Sequence, residues 1–112
     1  MSHDILVIDD EADIRDLIGG ILEDEGYGVR AAGDADSALD AIRARRPALC
    51  VLDIWLQGSR MDGLELLSVI RSIDADLPVI IISGHGTIET AVAAIHTVSY
   101  THLAGDSQMT LP

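Results

Sequence analysis

Ala48-Leu49-Cys50-Val51-Leu52-Asp53 is an unbroken apolar run that stops on a carboxylate. It follows Arg46-Pro47, and its length suits a strand. A short apolar run without alternation reads as a strand buried on both faces, the kind found in a parallel sheet covered by helices. Asp53 ends it. In open α/β sheets, ligands bind beyond the carboxyl ends of the strands, which makes Asp53 the candidate reactive residue.

Working outward, the same grammar repeats. Ile5-Leu6-Val7-Ile8 is a second short buried-strand pattern, followed at once by Asp9-Asp10-Glu11. Ile14, Leu17, Ile18, Ile21 and Leu22 then recur at helical spacing, predicting a helix from about Ala12 to Glu25 that is capped by Gly26. Tyr27 to Ala32 reads as a weaker strand. Asp34 is a plausible N-cap for a helix whose apolar face is Ala35, Ala38, Leu39 and Ile42. Arg43, Arg45 and Arg46 are expected in its last turn, where cations suit the helix dipole, with Pro47 ending it. Beyond Asp53 comes a loop, Ile54 to Asp62, then a helix carrying Leu64, Leu67 and Ile70 to about Ile73. Val79-Ile80-Ile81-Ile82 reads as a fourth buried strand ending at Ser83-Gly84-His85-Gly86, and Thr87 N-caps a helix faced by Ile88, Ala91, Val92 and Ile95. Strand and helix alternate four times, which implies parallel pairing, right-handed crossovers and a doubly wound α/β sheet. After His96 neither period persists. A fifth strand and helix are due there and are not legible, so residues 1–96 are read as one domain and 97–112 as an atypical tail. A shifted or truncated reading frame would produce such a change.

The bulk numbers narrow the function. The chain has 112 residues, 48% of them hydrophobic, no Phe and 3% aromatics, so one aliphatic core is expected. The formal net charge is -12, which opposes direct nucleic-acid contact and attraction to anionic membranes, since both need clustered cations. The one cysteine rules out an internal disulfide and a Cys-based zinc site; Cys50 reads as a small core residue. No signal peptide or membrane-length apolar run is read, and a cytoplasmic location is expected. All seven basic residues are arginines, and lysine is absent.

Three strand ends carry polar groups: Asp9-Asp10, Asp53 and Ser83. A parallel sheet brings them to one edge. Carboxylates crowded in one cleft repel, and Mg²⁺ relieves that repulsion with a few carboxylates while leaving positions for phosphate oxygens. A carboxylate in such a site can attack a phosphoryl group to give an aspartyl phosphate. Ser83 could then donate to the phosphoryl oxygens, with Gly84 and Gly86 admitting backbone N–H groups. Each feature has a plainer reading taken singly. Asp9-Asp10 suits a helix N-terminus, Asp53 a turn, Ser83 to Gly86 a tight loop and Trp55 a surface aromatic; only the combination favours a site. Nucleophile-elbow, P-loop and dinucleotide glycine motifs are absent.

Ile8-Asp9-Asp10-Glu11, Val51-Leu52-Asp53, Met61-Asp62-Gly63-Leu64-Glu65-Leu66-Leu67 and Leu77-Pro78-Val79-Ile80, in this order, resemble the receiver domain of two-component response regulators from Met1 to about Ile95. Ser83-Gly84-His85-Gly86-Thr87-Ile88-Glu89-Thr90-Ala91-Val92 resembles the branch attached to sigma-54-dependent activators, and Asp53-Ile54-Trp55-Leu56-Gln57-Gly58-Ser59 its nitrogen-regulation subgroup. The resemblance implies a flavodoxin-like (CheY-like) sheet of order 2-1-3-4-5. It implies that Asp53 accepts phosphate from a sensor histidine kinase, that Mg²⁺ is held by Asp9, Asp10, Asp53 and the backbone carbonyl of Trp55, and that Ser83 is the switch hydroxyl. Tyr100 falls where the family has its coupled aromatic. A homodimer through the fourth helix and fifth strand is the family's habit.

The chain departs from that pattern in one respect. The family's lysine, which neutralises the phosphoryl group, would fall near Gly105-Asp106, where no cation stands. Impaired phosphorylation is therefore expected, and a pseudo-receiver that keeps the fold without phosphate is the alternative. An aspartate-nucleophile phosphohydrolase is disfavoured, because Trp55 occupies the position where such enzymes commonly carry a second Asp. The chain is not expected to be an enzyme.

Overall fold

In the computed structural model, residues 3–54, 56 and 61–82 are described. They form β1 (Asp4–Ile8), α1 (Ala12–Asp24), β2 (Gly28–Ala32), α2 (Ala35–Ala44), β3 (Leu49–Asp53), α3 (Gly63–Ile73) and β4 (Val79–Ile82). All pairings are parallel, in the order β2-β1-β3-β4. This is the flavodoxin-like arrangement. Ser83 to Gly86, the helix expected after Thr87, and the tail in which no fifth strand is legible from the sequence lie outside the described residues.

Period-two alternation divides the core between the two faces of the sheet. Ile5, Val7, Leu49 and Val51 pack with Ile18 and Leu22 of α1, joined by Ile80 and Ile82. Leu6, Ile8, Cys50 and Leu52 pack on the other face with Ala38, Leu39 and Ile42 of α2 and Leu66 and Ile70 of α3. Every residue of β3 is buried, as its unbroken apolar sequence requires.

Local signals set the helix ends. Gly26 takes φ +96, the left-handed conformation glycine adopts without strain. The Gly26 N–H donates to the Glu23 carbonyl and the Tyr27 N–H to that of Leu22, a Schellman closure that ends α1 at Asp24. The Asp34 carboxylate accepts from the Ser37 N–H at 2.8 Å. Asp62 and Glu65 form a reciprocal capping box at the start of α3, a pairing not drawn from the sequence.

Two expectations need correction. Only Arg43 lies in the last turn of α2; Arg45 is its extended C-cap and Arg46 lies beyond. Beside Arg43, Arg30 of β2 donates from its guanidinium to the carbonyls of Ala41 and Arg45, both at 2.7 Å, so a second cation at this helix end comes from a strand. The helix α3 carries Leu64, Leu67 and Ile70 as expected; it buries Gly63, Leu66 and Ile70 and leaves Leu64 exposed. β4 is not buried on both faces: Ile81 is 44% exposed, because within the described sheet β4 is flanked by β3 alone.

Candidate functional site

The chain leaves β1 towards β2 on one side, then crosses back through α2 to β3 on the other. Between β1 and β3 the winding reverses. A crevice opens at such a switch point beyond the strand ends, and the acidic residues flank it.

Register explains how. Ile8 pairs with Leu52, and the Asp9 N–H extends the ladder one step by donating to the Ala32 carbonyl at 3.1 Å. Asp9 and Asp53 are therefore neighbours, each one residue past that pair. Carboxylate oxygens of Asp9, Asp10 and Asp53 all lie within 4.8 Å of one another. Asp9 is 3% exposed and Asp53 9%. The structure thus brings together three of the residues singled out from sequence. Trp55, Ser83 and Tyr100 lie outside the described residues.

The electrostatics record the crowding. Burial raises the pKa of the Asp9 carboxyl from 3.8 to about 6; the Glu11 N–H bond opposes the shift, and the negative charges of Asp53, Asp10 and Glu11 add to it. The bond from the Glu11 N–H to Asp9 Oδ1 is 2.9 Å. The helix-terminus reading of Asp9 accounts for that contact, yet the N-cap of α1 is Glu11 and the acidic residue of its first turn is Asp13. The convergence with Asp53 needs a further cause. Three hard oxygen donors, two of them nearly excluded from water, fit a small divalent cation that leaves other positions to water or phosphate oxygens.

Two supporting residues were not drawn from the sequence. Arg15 donates from Nη1 to the Asp9 carbonyl at 2.7 Å; a main-chain partner leaves no mark in sequence. Gly63 abuts the end of β3, and its N–H donates to the Ile54 carbonyl at 3.2 Å. A glycine directly after an N-cap was the available signal, since glycine is a poor helix former.

Residues 5–106 match the response regulator receiver domain family, and the chain belongs to that family. Within it, the similarity is to the NtrX subgroup. It is 64% identical over 100 residues to the nitrogen assimilation regulatory protein NtrX of Azorhizobium caulinodans, covering 89% of this chain and 22% of that protein. The crystal structure of the receiver domain of NtrX from Brucella abortus matches with TM-score 0.71 and 66% identity over 83% of this chain and 78% of that one. The response regulator TrrA from Thermotoga maritima, solved with Mg²⁺ and BeF, matches with TM-score 0.69 and 30% identity over 85% of this chain and 80% of that one. The chain spans about a fifth of the length of the curated NtrX relatives it matches.

Proposed function

We propose that this domain is a phosphorylation switch in which Asp53 takes a phosphoryl group from the phosphohistidine of a sensor histidine kinase. A carboxylate oxygen of Asp53 attacks phosphorus, the P–N bond breaks, and the departing imidazole recovers a proton. The observation that carries this reading is the convergence of Asp9, Asp10 and Asp53 at the switch point. Asp9, Asp10, Asp53 and the Trp55 carbonyl would hold Mg²⁺, which when bound offsets the carboxylate charge against the incoming phosphoryl oxygens. Ser83 would donate its hydroxyl to those oxygens. The domain accepts one phosphoryl group per cycle and is not a turnover enzyme. We further assign it to nitrogen-related signalling upstream of a sigma-54-type activator in the cytoplasm, with homodimerisation as the form of output; the relatives' names and the Ser83–Val92 sequence support that assignment. Residues 1–96 constitute the receiver and 97–112 its atypical tail. Among the described residues no helix is long and apolar enough to cross a membrane.

A small-molecule phosphodonor with Mg²⁺ is expected to label the protein, and neither Asp53→Asn nor chelated protein should be labelled. Absence of label on the wild type, where an intact receiver is labelled, removes the reading. The absence of lysine favours the pseudo-receiver in that event. Mg²⁺ binding without labelling would be its signature.

A further inference from the structure

The helix dipole of α1 does not explain where Arg15 stands. Arg15 is the fourth residue of α1, near the positive end of the helix dipole, where a cation gains nothing. Helix side chains lean towards the N-terminus, and this one reaches back to the loop that follows β1. Nη1 donates to the Asp9 carbonyl at 2.7 Å. On its other side the guanidinium lies over Gly33: a Cβ on Gly33 would come 3.0 Å from Nη1 and 3.5 Å from Cζ. The guanidinium thus spans the loops after β1 and β2, on the β2 side of the acidic cluster.

Asp9 is consequently fixed at three points. Its N–H is held by the Ala32 carbonyl, its carboxylate by the Glu11 N–H and its carbonyl by Arg15. Only the last is a side-chain tether, and it acts on the peptide joining Asp9 to Asp10. Its contribution is geometric.

We propose that Arg15 is a positioning residue that holds Asp9 and Asp10 at the spacing a small cation demands, an inference that rests on the Mg²⁺ reading of the site. Mg²⁺ requires near-ideal octahedral geometry at about 2.0–2.1 Å, whereas Ca²⁺ accepts looser, longer coordination. Releasing the Asp9–Asp10 peptide therefore weakens Mg²⁺ more than Ca²⁺. Charge predicts the reverse: deleting a nearby cation tightens both ions alike. The two accounts differ in sign.

The test is calorimetric titration of the full chain with Mg²⁺ and with Ca²⁺. The proteins are wild type, Arg15→Met, Arg15→Lys and Gly33→Ala, and urea unfolding in chelator confirms that each is folded. Arg15→Met is expected to weaken Mg²⁺ binding about tenfold, the usual scale for a lost supporting partner, and to shift the Mg²⁺/Ca²⁺ preference towards Ca²⁺. Arg15→Lys, which can still donate to the carbonyl, recovers much of the loss. Gly33→Ala displaces the guanidinium without altering the acidic loop and moves the preference in the same direction. Wild-type affinity and preference in Arg15→Met, or tighter binding of both ions, overturns the proposal alone. A wild type that binds no Mg²⁺ overturns the reading of the site and this inference with it.

Discussion

Gly63, at the start of α3, is packed against the carbonyl of Asp53, at the end of β3. A Cβ on Gly63 would overlap the Asp53 carbonyl oxygen and approach Ile54 Cα to 2.5 Å and the Ile54 carbonyl carbon to 2.8 Å. These are backbone atoms, so no rotamer change relieves the clash. Helix propensity alone would make Gly63→Ala stabilising by up to about 1 kcal/mol. Overpacking a rigid site costs about 1–3 kcal/mol, and here it must also displace the strand end. We expect a net loss on the order of 2 kcal/mol in urea unfolding, with weaker Mg²⁺ binding because Asp53 shifts. A variant as stable as wild type would show that the two segments part without cost.

The raised pKa of Asp9 has a defined consequence for stability. In the folded chain this carboxyl titrates near 6, against 3.8 unexposed to that environment. The folded state therefore binds more protons between those values. The stabilisation from protonation is full below about 3.8 and is lost as pH rises through about 6. Its size is on the order of 3 kcal/mol. On the proposed Mg²⁺ reading, the metal would compete with the proton for the same oxygens. Melting temperatures should show little Mg²⁺ effect at pH 4 and a clear rise at pH 7, and Asp9→Asn should flatten the metal-free pH dependence across that interval. Equal Mg²⁺ effects at both pH values would exclude Asp9 as a ligand.

What could be read beforehand follows the nature of each signal. β3 was legible because a strand buried on both faces must be apolar throughout. Asp9 and Asp53 were legible because parallel strands deliver their ends to one edge, and the register then fixes them as neighbours. Arg15, Gly63 and Arg30 were not. Each acts on main-chain atoms of another segment, and a main-chain partner has no residue type to recognise. The helix carrying Leu64, Leu67 and Ile70 was legible, but with Leu64, Leu66, Leu67, Val69 and Ile70 it offers more than one apolar stripe, and its buried face was not.

Cys50 offers a probe of the core without serving the site. It is buried and free, and burial pushes its thiol up to about 12, with nearby arginines opposing the shift. The thiolate is the reactive form. Labelling by a thiol reagent at pH 8 should therefore be slow in the folded protein and should rise with urea along the unfolding curve. Prompt labelling without urea would mean that β3 opens independently of the rest of the domain.

Arg30–Asp4 and Arg46–Asp74, two of the three arginine–aspartate pairs among the described residues, should prove unequal. Arg30 and Asp4 meet at 2.6 Å, with their side chains 25% and 19% exposed. The same guanidinium closes α2 through the Ala41 and Arg45 carbonyls. Arg30→Ala would leave the partly buried Asp4 carboxylate with Arg45 alone, at 3.5 Å, and would remove the guanidinium from the Ala41 and Arg45 carbonyls, a loss of about 1–3 kcal/mol. Arg46 pairs with Asp74 at the surface, its own side chain 53% exposed. That contact lowers the Asp74 pKa, so its stabilisation is present above the ordinary carboxylate range and fades as pH falls through the lowered value. Solvent screening limits an exposed pair of this kind to about 1 kcal/mol or less. Urea unfolding of Arg30→Ala and Arg46→Ala in low salt and in 1 M salt separates them. The Arg46 effect should vanish in salt while most of the Arg30 effect persists, because hydrogen bonds to carbonyls are not screened away. Comparable losses that disappear together in salt would reduce Arg30 to an ordinary surface charge.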